Sequence, residues 1–290
     1  MPSEPIRAAV FPVAGRGTRF LPVTKNVPKE VLPIVDRPCI EYVVAEAVAA
    51  GIEQIVFVTA KGKEALVDYF LPTPELESFL EANGQVHLLD EVRRVVSMAD
   101  VVAVRQDQAL GLGHAVLQAR AAVGEQDFAV LLGDDIIDAE TPAIAQLMTH
   151  RAAGDAVVAL MEVPWADTAR YGVCAGEMIS SNRMAVQAMV EKPAPEDAPS
   201  NYAIVGRYVL PSAIWDRLAS TQPGKGGEIQ LTDAIASLAA EGRVQGTVFE
   251  GERFDTGNVV GLLRASVHFG LKRPDLEGPI RAMLAEMSAR

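Results

Sequence analysis

The sequence predicts an α/β fold: a mixed, mainly parallel central sheet flanked by helices, with a small antiparallel extension in its second half. Three observations lead there. Apolar strand-like runs alternate with helix-like segments over residues 6–135. The first of these runs are apolar throughout, the pattern of strands covered on both faces. Beyond residue 156, short strand-like runs cluster between Pro- and Asp-rich turns. Strand–helix alternation implies parallel pairing through right-handed crossovers, hence a doubly wound sheet. Clustered short strands imply antiparallel pairing.

In chain order, residues 6–13 (IRAAVFPV) read as a buried strand. Residues 40–51 have helical spacing and end on a glycine stop. A second buried strand follows at 54–60 and a second helix at 63–70. Residues 71–99 break the rhythm and read as an insertion, helical at first and then strongly charged. The alternation resumes with a strand at 101–106, a helix at 111–123 and a strand at 128–135. A strand at 156–163 precedes the short runs MAVQAMVEKP and YAIVGRYVL. Residues 228–242 form an amphipathic helix, and further helices finish the chain. There is no internal repeat, low-complexity segment or linker, so residues 1–290 are expected to fold as one domain.

The 290 residues are 49% apolar and 22% charged, an ordinary globular mixture large enough for one sizeable core. The net charge of −12 argues against a general nucleic-acid binder, while leaving room for a few local cations around a nucleotide. Cys39 and Cys174 are far apart and form no CxxC pair, which argues against a disulfide framework or zinc site and fits a reducing cytoplasm. No apolar run reaches membrane-spanning length.

Residues 11–33, FPVAGRGTRFLPVTKNVPKEVLP, carry the most information. Gly15 and Gly17 follow the first strand, where missing Cβ atoms let backbone N–H groups approach an anion. Arg19 and Lys29 offer fixed positive charge to the same object. The Walker A spacing is absent. The dinucleotide fingerprint fails too, because no third glycine follows Gly15 and Gly17 and no acidic residue ends the second strand. Alone, Gly-x-Gly is an ordinary tight turn. The full run, Gly-x-Gly-Thr-Arg-x-x-Pro followed by Pro28-Lys29-Glu30-x-x-Pro33, resembles the loop of the sugar-1-phosphate nucleotidyltransferases, most closely the bacterial UTP–glucose-1-phosphate uridylyltransferases.

The resemblance runs from about residue 6 to residue 276 with the motifs in family order. It implies a Rossmann-like core divided into a nucleotide-binding part (about 6–155), a sugar-phosphate-binding part (about 156–260) and C-terminal helices (about 261–290). It also implies Mg²⁺ dependence and a homo-oligomer, dimer or tetramer. The expected partners are UTP, glucose 1-phosphate, UDP-glucose and pyrophosphate, with no nucleic acid and no membrane. Ala14, Gly15, Gly17, Thr18, Glu30, Gln106 and Gly111 would bind the nucleotide, and Arg19, Lys29 and Asp134 would act on its phosphates. Glu30 stands where the thymidylyl branch resembles itself in carrying glutamine, and the insertion also favours the uridylyl branch. The chain departs from the family at Val259, where many members carry lysine, and mildly at Gln108-Ala109-Leu110.

The remaining motifs have a plain reading beside the functional one. Asp134 ends an apolar strand, where α/β sheets place ligands, and Asp255 lies in Phe254-Asp255-Thr256-Gly257. Either could be a helix cap or turn residue; the resemblance makes both metal ligands, and magnesium favours one or two carboxylates plus phosphate oxygens. Glu191-Lys192 is, on bare sequence, a solvated charge pair at a strand end. The resemblance assigns Glu191 to sugar hydroxyls, Lys192 to the sugar phosphate, and Gly172 and Asn201 to the sugar pocket. His114 is expected to be a helix residue satisfied by a polar neighbour, without a chemical role. Residues 226–233 match a family motif that also reads as a capped helix start.

Overall fold

The structure, a computed structural model, describes residues 4–289. Its strands are β1 (Ala8–Pro12), β2 (Pro33–Ile34), β3 (Arg37–Pro38), β4 (Gln54–Thr59), β5 (Asp100–Arg105), β6 (Phe128–Leu131), β7 (Asp135–Asp138), β8 (Ala156–Glu162), β9 (Gly172–Ser180), β10 (Arg183–Glu191), β11 (Tyr202–Leu210), β12 (Val244–Val248) and β13 (Glu252–Asp255). The helices are α1 (Cys39–Ala49), α2 (Glu64–Asp68), α3 (Pro74–Ala82), α4 (Val86–Val96), α5 (Leu112–Gln118), α6 (Arg120–Val123), α7 (Ala143–Thr149), α8 (Ile214–Ser220), α9 (Leu231–Ala239), α10 (Val259–Leu271) and α11 (Glu277–Ser288).

The continuous apolar runs behave as two-faced strands. Ala8 and Val10 of β1 join Val56, Val58, Phe128 and Val130 in a core under α5, α8 and α9. Ala9 and Phe11 join Ile55, Phe57, Ala129 and Leu131 in a second core under α1, α2 and α7. Successive residues point to opposite faces of a strand, so a run must be apolar throughout when helices cover both. The Trp215 ring stacks on Phe128 with centroids 4.3 Å apart, and its Nε1 donates to the Gly124 carbonyl at 3.0 Å.

Nine strands form one sheet in the order β5-β4-β1-β6-β11-β8-β12-β10-β9. β5, β4, β1 and β6 pair in parallel, as do β8 and β12. β11 runs antiparallel to both β6 and β8, and β10 antiparallel to β12 and β9. The antiparallel strands of the second half are thus continuous with the first: β11 inserts between β6 and β8. β9 also pairs with the first residues of β11, curling this half of the sheet back on itself.

Three boundaries differ most from expectation, each for a local reason. The strand expected at 128–135 stops at Leu131. Gly133 and Asp134 turn, with Gly133 close-packed on Val13 and Ile40, and Asp135 opens β7. The helix expected at 111–123 breaks at Ala119 into α5 and α6. The helix expected at 228–242 begins only at Leu231, because Glu228 and Gln230 are extended and the Ile229 backbone bonds to Leu110 and Gly113. The insertion forms the helical pair α3 and α4, and Arg94 of α4 ties it to Glu41 of α1 at 2.6 Å. Among the described residues, no helix is long and apolar enough to cross a membrane.

Candidate active site

The loop after β1 lies at the C-terminal edge of the parallel strands. Gly17 adopts φ 63°, and a Cβ there would lie 3.3 Å from Lys29 Cβ. Thr24 Oγ1 donates to the Gly17 carbonyl at 2.7 Å, so the loop folds down over the Lys29 turn. Gly15 is different: a Cβ there would meet no protein atom within 4 Å. Packing does not demand that glycine, and its bareness leaves open space above the loop. Beside it lies a cleft of about 1000 Å³ lined by Ala14, Thr18, Lys29 and Gln106 among others. Arg16, Lys25, Lys61, Lys63 and Arg105 line it too, so a chain of net charge −12 presents a strongly cationic cleft.

Lys29 Nζ donates to Asp134 Oδ2. Burial works against ionising Asp134, but the Lys29 ammonium outweighs it and holds the carboxyl below its usual range. Burial likewise works against the Lys29 ammonium, and Asp134 with Glu30 outweighs it, raising the Lys29 pKa. Arg19 is near enough for its charge to act on both. The three expected phosphate-handling residues therefore share one locus.

Glu30 is 2% exposed and lies beneath the loop. Its two carboxylate oxygens accept from Lys63 Nζ at 3.0 and 2.8 Å, and the same ammonium donates to the Val13 carbonyl at 2.5 Å. Those three acceptors use all three ammonium protons. Burial pushes the Glu30 carboxyl up and the Lys63 ammonium down, each against the pull of the other. The pair ties the end of β1, the Lys29 turn and the start of α2 together. Sequence reading missed Lys63, which reads there only as the first residue of a helix.

Gln106 lines the cleft, and Gly111 lies beside Gln106. The Gln106 amide donates to the Gly111 carbonyl at 3.2 Å and bonds His114 Nδ1 at 2.9 Å. Gln118 meets the other ring nitrogen at 3.3 Å. His114 is thus satisfied by polar neighbours, as expected. Gly111 adopts φ 101°, and a Cβ there would meet Glu228 Cβ at 2.7 Å and the Ile229 carbonyl at 2.8 Å. The glycine serves the approach of the 228–230 backbone, whereas the resemblance placed it at the nucleotide. Gly111→Ala is therefore expected to lower stability by roughly 2–4 kcal/mol through strain and overpacking. Gly15→Ala should leave the melting temperature unchanged and weaken nucleoside-triphosphate binding. Thermal unfolding and titration calorimetry on both variants check this contrast.

β13 pairs with β7 so that Asp255 sits opposite Asp135. Thr256 fixes the neighbouring turn, its N–H and Oγ1 donating to the Asp134 carbonyl at 2.9 and 2.8 Å. A Cβ on Gly257 would lie 2.5 Å from Asp134 Oδ2 and 3.0 Å from Asp255 Oδ1. The two carboxylates converge around a residue with no side chain. Arg170 is 3.6 Å from the other Asp255 oxygen. This donor set fits a hard divalent cation that keeps most of its ligands from phosphate and water. Among the described residues, no group of three or more His, Cys, Asp or Glu side chains gathers to hold a metal, so a cation here would complete its shell from a substrate. Cys39 lies alongside, its thiol pushed up to about 11 by burial.

In the second half of the sheet, Glu191 ends β10. Thr232 Oγ1 donates to Glu191 Oε2 at 2.6 Å, and Lys192 Nζ lies 3.1 Å from Oε1. A Cβ on Gly172 would meet Thr232 Oγ1 at 2.9 Å and Glu191 Oε2 at 3.1 Å. Gly172, Glu191 and Lys192 are thus brought together, with Thr232 as a member that sequence reading had absorbed into a helix cap. Lys192 sits at φ 45°, a strained conformation for a non-glycine residue. Asn201 is placed apart from that group: its amide nitrogen donates to Glu162 Oε1 and the Val163 carbonyl, both at 3.1 Å.

Residues 9–270 match the nucleotidyl transferase family. A UTP–glucose-1-phosphate uridylyltransferase of Staphylococcus epidermidis is 45% identical over 283 residues, spanning 97% of this chain and 98% of the relative. One from Bacillus subtilis strain 168 is 46% identical over 272 residues, 93% of each chain. Among solved structures, a UDP-glucose pyrophosphorylase complexed with UDP-glucose superposes with TM-score 0.83 at 40% identity, covering 92% of this chain and all of the other. A UTP-bound UGPase from Acinetobacter baumannii gives TM-score 0.88 at 43% identity, covering 97% and 99%.

Proposed function

The chain belongs to the nucleotidyl transferase family, and on that premise we propose that it transfers a uridylyl group from UTP to α-D-glucose 1-phosphate, giving UDP-glucose and pyrophosphate. The observation that carries the reading is the Lys29–Asp134 pair, in which Lys29 lines the cationic cleft and Asp134 converges with Asp255 around Gly257. Relatives of near full-length coverage bear the names of this activity, and solved relatives carry UTP and UDP-glucose.

The sugar-phosphate oxygen attacks the α-phosphorus in line. That nucleophile is already an anion, so no general base is required. The barrier comes from bringing two anions together and from charge building on the departing pyrophosphate, so positioning and electrostatics carry the catalysis. Arg19 holds the β- and γ-phosphates above the bare backbone of Gly15. Lys29 exchanges its bond to Asp134 for the α-phosphoryl group as charge develops there. Glu191, oriented by Thr232, accepts from sugar hydroxyls, and Lys192 holds the attacking phosphate. Asp134 and Asp255 would hold a magnesium ion, which supplies neutralisation of phosphate charge. Glu30 acts from below: with Lys63 it fixes the loop and the Lys29 turn.

The test is pyrophosphate release with Mg²⁺, glucose 1-phosphate and each of UTP, dTTP, CTP, GTP and ATP in turn. Release is expected with UTP, with UDP-glucose as product. Preference for dTTP would overturn the uridylyl assignment and keep the mechanism. No release with any nucleotide, from folded protein that binds UTP, would overturn the enzyme reading.

A further inference from the structure

One side chain touches both halves of this site. Arg253 lies on β13 two residues before Asp255, so both side chains leave the same face of the strand. Its Nε and Nη2 donate to Asp135 Oδ1 and Oδ2 at 2.5 and 2.8 Å. Its Nη1 donates to the Tyr171 hydroxyl at 3.2 Å, and the guanidinium lies 5.4 Å from the centre of the Tyr171 ring. Asp135 directly follows Asp134. Tyr171 directly precedes Gly172, and its carbonyl accepts from the Lys192 N–H at 2.9 Å. Asp135 is buried, seated against Gly206, whose φ of 55° and missing Cβ leave room for its carboxylate.

We propose that Arg253 is a positioning residue for the transfer reaction, holding the carboxylate turn at Asp134-Asp135 and the sugar-side segment at Tyr171-Gly172 in a single register. The proposal rests on the uridylyltransferase reading above. An in-line displacement between two bound substrates needs its reacting atoms aligned, and a misplacement of about 1 Å costs on the order of 10²-fold in rate. Three directed N–H groups reach two segments at once here. Lysine has the charge but not the planar fork, so it cannot hold both. A contact confined to folding would act differently: a buried ion pair can be replaced by apolar residues of similar volume with little loss of stability.

The experiment compares the wild type with Arg253→Lys, Tyr171→Phe and the double variant Arg253→Met/Asp135→Leu. Melting temperature, UTP affinity by calorimetry, and kcat and KM for glucose 1-phosphate are measured on each. Arg253→Lys is expected to lower kcat about 10–100-fold while UTP affinity stays within about twofold. The double variant is expected to regain the melting temperature but not kcat. Tyr171→Phe keeps the ring and loses only the hydroxyl, and a drop in kcat of about three- to tenfold is expected. A folded Arg253→Lys with wild-type kcat, or a double variant that regains both stability and kcat, overturns the proposal. Where neither Arg253 variant folds, unchanged kcat in Tyr171→Phe overturns it. Absence of UDP-glucose from the wild type would instead overturn the reading beneath.

Discussion

Lys29→Ala is expected to lower kcat/KM by about 10²–10³, the usual loss when one charged donor to a developing anion is deleted. That corresponds to roughly 3–4 kcal/mol of transition-state stabilisation. The variant should fold, since the Lys29 turn is also fixed by Glu30 on Lys63. Stability changes with pH in a defined way. Asp134 is depressed in the folded protein, so its share of stability is present above 3.8 and lost as pH falls through the lowered value. Lys29 is raised, so its share is present below 10.5 and lost as pH rises through the raised value. Removing Lys29 removes both shares, and the melting temperature of the variant should fall furthest below wild type between those limits. Thermal unfolding across pH and steady-state kinetics test the two halves of this prediction. Near-normal turnover would take Lys29 out of the scheme.

Asp134→Asn should cost a similar factor, about 10²–10³ in kcat, for a different reason. The side chain keeps its shape and loses the charge that would hold a divalent cation. The Lys29 ammonium also loses its partner. Raising Mg²⁺ should recover part of the rate in Asp134→Asn, where a ligand to the cation is missing, but not in Lys29→Ala, where both carboxylates remain. Calorimetric titration of Mg²⁺ in the presence of UTP reads the same difference without turnover, with weaker binding in Asp134→Asn alone. An identical Mg²⁺ response in the two variants would remove the cation from Asp134.

The phosphate loop was legible because its residues are neighbours in the chain. Gly15, Gly17, Arg19 and Lys29 lie within one short stretch, and their types announce an anion. Other residues kept their place but changed their reason. Gly111 was expected at the nucleotide, and its missing Cβ admits the Glu228–Ile229 backbone. Glu30 looked like a ligand contact, yet both its oxygens are held by Lys63 from below. In each case the partner lies in a segment distant in the chain, where no local pattern points.

By itself the sequence determined the strands, the helices on both faces and the cationic loop, and its motifs named candidate side chains for the chemistry. Periodicity, composition and motif spacing are local properties of the chain. Only the tertiary structure decided which charges meet. Lys29 reaches Asp134 across 105 positions, and Arg253 reaches Asp135 across 118. Those pairings depend on β6 lying directly beside β1 and on β13 pairing with β7 in one register. Strand order and register are set by how two cores pack on opposite faces of the sheet. That packing is a property of the whole chain, which is why candidate residues could be named from the sequence before the contacts among them could be.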